Sequence, residues 1–389
     1  MIKHDSISVL VIGLISIAFV LADWRIGFLT FADILISLAA IIIVIKGLIN
    51  KSLYFKYNQL YLIVGFILVV SINIFSNLLF NADFLEDLGI KGFFKISCFI
   101  IMFTLVFNFI KELALEVKLL QVLNITAFIV CILGIYISIS IYLNGIFPYE
   151  FLWKFTRDDL ASYAYKGWDE SVIRTRSIFS EPAHLGFYLN AILAITYLNK
   201  YKYNINKFID FTIIITIILT FSYSSIIIML LIKIFNYAKI DKLKHFYVSK
   251  KSIVITIIVA ISIISMWNQI EKTLINRTQE ILSGADTSAS ARVEGSWSFV
   301  NKEHIFIGNG IGNTPPIFNN YAYVLSDLGL IGFILFVIFS FIVLKKNFQL
   351  GLVFIAMNFQ KGGYLGAGYW IFILLVLIYI NRKNRNPVG

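Results

Sequence analysis

The sequence predicts an all-α fold, a polytopic transmembrane helical bundle of about twelve spans with two large extracytoplasmic loops. Three observations predict it. Hydrophobic residues make up 59% of the chain and charged residues only 14%. A water-soluble domain carries roughly 25% charged residues, so this chain lacks the charge to cover a soluble globule of its size. Apolar runs near the ~20 residues needed to cross hydrocarbon recur along most of the chain. Short basic segments punctuate those runs on one predicted side of the membrane.

Each crossing must close its own backbone hydrogen bonds as a helix, because hydrocarbon offers no partner. Clear runs lie at 6–22, 27–46, 59–80, 93–110, 118–143, 183–199, 252–267 and 321–344. Two stretches are ambiguous. The run 209–236 is too long for one upright helix, and 349–380 is interrupted by Gln360-Lys361-Gly362-Gly363. Cytoplasmic loops collect Lys and Arg. Lys200, Lys202 and Lys207 precede the first stretch, and Lys239, Lys242, Lys244, Lys250 and Lys251 follow it. An even number of crossings between them is therefore expected, as two short helices turning at Ser222-Tyr223-Ser224-Ser225. The same logic, between Lys345-Lys346 and Arg382-Lys383-Asn384-Arg385, expects two helices turning at Gly362 to Gly368. A single tilted or broken helix is the alternative in each place. Both termini are then cytoplasmic, and the chain is one integral membrane domain over 1–389.

Several classes are disfavoured. Ile7 to Leu21 is followed by Ala22-Asp23-Trp24-Arg25 and a second apolar run, unlike a cleaved signal peptide. Cys98 and Cys131 sit in apolar runs without a CxxC or Cys/His neighbourhood, so neither a metal nor a disulfide framework is expected. No Gly-rich phosphate loop is present, which argues against ATP-driven transport. The net charge of +11 follows from the orientation of the loops, so nucleic acid is not an expected partner; membrane lipid is.

Two loops, 144–182 and 268–320, are far longer than connectors, and long loops in compact folds are functional or disordered. Disorder fits poorly. The first contains Tyr149, Phe151, Trp153, Phe155, Tyr163, Tyr165 and Trp168, and the second Trp297, Phe299, Phe306 and Phe318. Disordered segments are poor in aromatics. Belt or core packing is the ordinary use of such rings, and stacking on sugars is the functional one.

The first loop ends in Arg174-Thr175-Arg176-Ser177-Ile178-Phe179-Ser180-Glu181-Pro182-Ala183-His184. Pro182 suits the first turn of a helix, and Glu181 before it suits the positive helix end. Glu181 therefore reads either as a cap or as a reactive carboxylate. Arg174 and Arg176 are two apart, so one faces the site if the other faces solvent. The second loop contains Arg292, the run Gly308-Asn309-Gly310-Ile311-Gly312-Asn313, and Asn319-Asn320-Tyr321 ahead of Asp327-Leu328-Gly329. The glycine run reads as a turn with close backbone approach. Asp327 is expected near the outer interface or against a wet cavity, because an unpaired acid in hydrocarbon is unfavourable. Arginine forks suit phosphate. A carboxylate beside them could serve as a general base on a sugar hydroxyl, and arginine could offset leaving-group charge without a metal.

At these residues the chain resembles the O-antigen polymerase family (Wzy-type) of the wider O-antigen ligase/polymerase superfamily. The likeness rests on Arg176 to Pro182 ahead of a membrane helix, on Arg292 followed after fifteen residues by Gly308, and on Gly308 to Gly312 leading into Asn319-Asn320-Tyr321 and Asp327 to Gly332. It covers about 174 to 345; the front half is similar only in hydropathy. The resemblance implies a glycosyltransferase of the bacterial inner membrane that joins undecaprenyl pyrophosphate-linked repeat units into O-antigen or a related polysaccharide. No cofactor is implied, and a chain-length regulator protein is an implied partner. Arg176 and Arg292 would contact the donor pyrophosphate. Glu181 would be catalytic or position the acceptor. Arg174, His184, Gly308, Gly310, Asn313, Asn319, Asn320 and Tyr321 would line the substrate site. Ligases of the superfamily carry histidine where this chain has Asn319, which cannot act as a base; that favours a polymerase over a ligase. A flippase for the same lipid-linked sugars is the transporter alternative, and the lack of an internal repeat speaks against it.

Overall fold

The computed structural model describes residues 6–27, 29–52, 54–156, 164–165, 169–199, 205–237, 271 and 275–380. The expected span 252–267, the basic segment 239–251 and the C-terminal basic cluster lie outside them. Among the described residues, eleven helices build the bundle. They are α1 (Ser6–Val20), α2 (Phe31–Ile49), α3 (Tyr57–Phe80), α4 (Glu86–Glu112), α5 (Glu116–Tyr142), α6 (Pro182–Leu198), α7 (Lys207–Leu219) and α8 (Tyr223–Tyr237), then α11 (Asn320–Lys346), α12 (Phe348–Gln360) and α13 (Ala367–Ile380). Two short helices, α9 (Asn276–Leu282) and α10 (Thr287–Ser290), lie in the second long loop. Strand is confined to two small antiparallel hairpins: β1 (Arg25–Ile26) with β2 (Leu29–Thr30), and β3 (Ala164–Tyr165) with β4 (Asp169–Ile173).

Six helices are long and apolar enough to cross a membrane by length and composition: α1 with its 3-10 extension to Asp23, α2, α3, α4, α5 and α11. Large apolar side chains such as Ile41, Leu62 and Phe75 are exposed on the bundle exterior. A water-facing surface would not carry such a continuous apolar coat, so these faces meet lipid. The chain is a multi-pass helical membrane protein.

Hydrogen bonds order the helices between two ends. At the first end the turn carrying Asp23 meets Ser180, and the α3 terminus meets the second loop through Asn81. At the opposite end Lys46 donates to Ser8, Lys111 pairs with Glu116 at 3.3 Å, and Tyr379 donates to the Glu116 carbonyl at 2.6 Å. There too Asn347 donates to the Leu198 carbonyl at 2.8 Å. Successive helices therefore alternate in direction. Within 209–236 the pair α7–α8 is the expected hairpin, but Tyr223, Ser224 and Ser225 open α8 and the turn falls just before them. Lys233 on α8 bridges Asp210 on α7 at 2.9 Å, with the turn at Thr220–Ser222 between them. Within 349–380, Phe354 of α12 stacks on Phe372 of α13 at 5.6 Å across the Lys361–Gly366 turn, a second hairpin.

The core centres on α6 and α13, which are buried on nearly every face. Helices apolar all round belong in such interiors. By contrast, α3 buries only Ile63, Val70, Asn73 and Asn77 and otherwise meets lipid. Polar side chains tie the interior helices: Asn124 to Thr196 at 3.1 Å, Asn190 to the Ser225 carbonyl at 2.8 Å, and Gln360 to Ser225 Oγ at 2.8 Å. Such interhelical bonds act as glue where no hydrophobic drive separates helix from lipid.

The expectation of a single span at 321–344 needs correction. Within α11, Gly329 has φ 64° and ψ −164°, which no helix contains. Tyr321 Oη donates to Ser340 Oγ at 3.0 Å, nineteen residues away. A straight helix would separate them by about 28 Å. Residues 320–328 therefore fold back along 330–346, and only the second limb, roughly 25 Å long, can cross.

Candidate functional site

The site is assembled at the first end of the bundle, where both long loops fold inward. Residues 173–181 lie along α5. Ser177 Oγ donates to the Val130 carbonyl at 2.7 Å, and Thr175 Oγ1 bonds Ser138 Oγ at 2.8 Å. Gly134 makes this approach feasible, since a Cβ there would sit 2.9 Å from Thr175 Cγ2. Trp24, from the α1–α2 turn, donates to the Ile178 carbonyl at 2.8 Å, and Trp153 donates to the Ser177 carbonyl at 2.7 Å. One of the loop's own aromatics, with one from the α1–α2 turn, thus clamps its C-terminal strand.

Arg176 is the largest fully buried side chain, 1% exposed. Its guanidinium lies 3.6 Å from the Trp153 ring centroid and donates to the Ser180 carbonyl at 3.0 Å. Arg174 is half-buried and donates through Nε to the Thr220 carbonyl at 3.2 Å, at the tip of the α7–α8 hairpin. Of the two arginines, Arg176 therefore faces the interior. Glu181 occupies the N-cap position of α6, but its side chain makes no cap bond; its carbonyl accepts from the His184 and Leu185 amides. Its carboxylate is half-exposed.

Four side chains converge beside this segment. Asp23 Oδ2 accepts from Ser180 Oγ at 2.9 Å and lies 2.7 Å from His184 Nδ1. Ser180 Oγ and His184 Nδ1 are 2.8 Å apart. Lys361, at the end of α12, stands 3.7 Å from Asp23 Oδ1. The His184 and Lys361 side chains are 24% and 28% exposed, so this cluster opens outward. Arg292, on the single π turn Ala291–Gly295, donates to the Gln360 carbonyl at 3.4 Å and lies over Phe318. Arg176 through Ser180, and Arg292 through Gln360, therefore reach one cluster from opposite loops.

The glycine-rich motif does different work. Asn73, Asn77 and Asn81 form a stripe on α3 that receives it. Asn73 and Asn77 donate to the Ile307 carbonyl, Asn81 donates to the Asn309 carbonyl, and the Ile311 amide donates to Asn73 at 3.2 Å. Gly308 and Gly310 have φ of 69° and 93°. A Cβ on Gly308 would sit 2.6 Å from the Asp327 carbonyl oxygen, and one on Gly310 2.3 Å from the Phe84 ring. Gly308 packs against backbone and Gly310 against the Phe84 ring, both at close approach. Asn313 accepts from the Leu85 amide at 2.7 Å. Asn319 caps α11 by accepting from the Tyr321 and Ala322 amides. Asn320 donates to Asn358, and Tyr321 to Ser340; all three are buried.

Asp327 is paired within the protein. It is fully buried, and accepts from the Gly312 and Thr314 amides at 2.9 Å and from Tyr364 Oη at 2.7 Å. Burial, and then the Asp327 carboxylate, push the Tyr364 phenol well above its usual range, so it stays a donor at neutral pH.

Asp23 and Lys361 were not marked as functional by sequence. Asp23 lies 157 residues from Ser180 in a short turn that reads as a plain connector. The available signal was an acid and a tryptophan side by side in a turn on the same side as both long loops. Among the described residues no group of three or more His, Cys, Asp or Glu could hold a metal ion. No known protein family, curated protein or solved structure matches this chain.

Proposed function

We propose that this membrane protein is a glycan polymerase that joins lipid pyrophosphate-linked oligosaccharide repeat units, O-antigen or a related surface polysaccharide, at the outer face of the bacterial inner membrane. One observation carries it: Arg174, Arg292 and Lys361 gather with Asp23, Glu181 and His184 at one end of the bundle, among the two long loops. Cations that are partly exposed at a membrane boundary suit a lipid-borne diphosphate. An adjoining carboxylate and imidazole suit proton transfer from a sugar hydroxyl. Arg292 and Lys361 hold the donor pyrophosphate, with Arg174 at the rim. Arg176 supports them from below by fixing the Ser180 carbonyl. The growing chain moves from its carrier onto the next carrier-linked unit, both reactants diffusing in the same leaflet.

The test is Arg292→Ala in the producing strain, with surface glycan resolved by gel. The long-chain ladder is expected to vanish while single repeat units persist at the surface. Complete loss of surface glycan would point to a ligase or flippase instead, and an unchanged ladder would remove Arg292 from the site.

A further inference from the structure

We infer that His184 is the general base of this reaction and that Asp23 is its positioning residue, a pair contributed by α6 and the α1–α2 turn. The inference rests on the polymerase reading above and assigns the base within it, replacing Glu181. A carboxylate only accepts hydrogen bonds. With Asp23 Oδ2 2.7 Å from His184 Nδ1, the ring carries its proton on Nδ1. The Nε2 lone pair is then the one presented to a substrate. Among the described residues nothing hydrogen-bonds Nε2, and the side chain is 24% exposed. Ser180 Oγ, donating to the same carboxylate oxygen at 2.9 Å, fixes the carboxylate in place. The Ser180 hydroxyl meets Nδ1 and not Nε2, so the trio is no acyl-transfer triad, and Ser180 is not a nucleophile.

The neighbourhood suits this role. Lys361 approaches Asp23 from the end of α12. The half-exposed Glu181 begins α6 itself, and Arg176 lies beneath through the Ser180 carbonyl. Arg292 reaches the residue next to Lys361. A pyrophosphate held by Lys361 and Arg292 would place the donor sugar beside the imidazole, and the acceptor hydroxyl attacks from the face opposite the leaving group. In the step, the acceptor hydroxyl oxygen bonds the anomeric carbon of the donor sugar. The bond from that carbon to the pyrophosphate oxygen breaks, and its electron pair leaves with the lipid pyrophosphate. The hydroxyl proton passes to His184 Nε2 and then to water.

Glu181 sits one turn away, at the N-cap position of α6, and is the competing base. The assignment therefore separates the two residues experimentally. The full-length protein in nanodiscs would be given undecaprenyl pyrophosphate-linked repeat units extracted from a strain lacking this gene. Elongation is read across pH, and binding of undecaprenyl pyrophosphate alone is read in parallel. His184→Gln is expected to lose about 10²–10⁴-fold in kcat with binding unchanged. Asp23→Asn, which removes the acceptor that holds the Nδ1 proton, is expected to lose about 10–100-fold in kcat with carrier binding unchanged. Asp23→Glu restores part of the rate. A merely structural role for Asp23 would lower the yield of folded protein and leave kcat per folded molecule unchanged. Full elongation by His184→Gln would overturn the assignment while the polymerase reading stands. A wild-type protein that binds the carrier and elongates nothing would overturn the polymerase reading and the base with it.

Discussion

Gly329→Ala is expected to prevent the protein from accumulating folded. At φ 64° and ψ −164° the backbone occupies a region essentially closed to residues with a side chain. An ideal Cβ there would lie 2.3 Å from the Phe306 carbonyl oxygen and 2.6 Å from the Gly308 amide. Neither neighbour is a side-chain tip that can swing away. The strain contributes roughly 1–3 kcal/mol and the overpacking a similar amount. Together, at about 2–6 kcal/mol, they reach the lower end of the stability of a typical domain, about 5–15 kcal/mol. Gly13, inside α1 with nothing near its would-be Cβ, is the control; Gly13→Ala should change little. Membrane yield and thermal melting in detergent check both. A Gly329→Ala protein that melts with the wild type would show that the fold-back of α11 is not held by this glycine pair.

That fold-back marks where the sequence was legible and where it was not. Hydropathy and basic segments are local signals, and they located the hairpins of α7–α8 and α12–α13. The charge bridge Lys233–Asp210 and the Phe354–Phe372 stack later join helix to helix there. The break in α11 has no hydropathic trace, because 320–328 and 330–346 are both apolar and contiguous. Only Gly329, beside an acid, hinted at it. The asparagine stripe of α3 was visible as Asn73, Asn77 and Asn81 at helical spacing, but its meaning depends on the glycine run that it receives from about 230 residues away. Of the candidate site, the loop that ends in Arg174, Arg176 and Glu181 was legible as a convergence of charge. Asp23 and Lys361 were not, since each sits in a short turn whose charge serves equally well as a topological anchor. Side-chain direction is set by tertiary packing, so Arg176 and Arg292 looked alike in sequence and differ in the fold.

Arg176→Ala and Arg292→Ala are therefore expected to fail in different ways. Arg176 is 1% exposed, with its guanidinium over Trp153 and its Nη1 donating to the Ser180 and Phe179 carbonyls. Its removal forfeits a desolvated cation–π contact, worth about 2 kcal/mol. It also forfeits hydrogen bonds from a charged donor, worth roughly 1.5–3 kcal/mol, and it opens a void under the loop. A loss near 3 kcal/mol or more follows, read as a lower melting temperature and as easier proteolysis within 144–181. Arg176→Lys keeps the charge but lacks the planar fork, so it should recover only part of the loss. Arg292 is half-buried, on one π turn, where it donates to the Gln360 carbonyl at 3.4 Å and lies over Phe318. Arg292→Ala should melt within about 1 kcal/mol of the wild type, as half-exposed substitutions commonly do, while carrier pyrophosphate binding weakens. If Arg176→Ala instead kept its melting temperature and lost only that binding, the guanidinium would have to leave Trp153 and meet the donor directly. The loop would then be a moving part rather than a floor. If both variants lost stability alike, the second loop would be held by Arg292 as firmly as the first is by Arg176, and the anion would have to be held by Lys361 and Arg174.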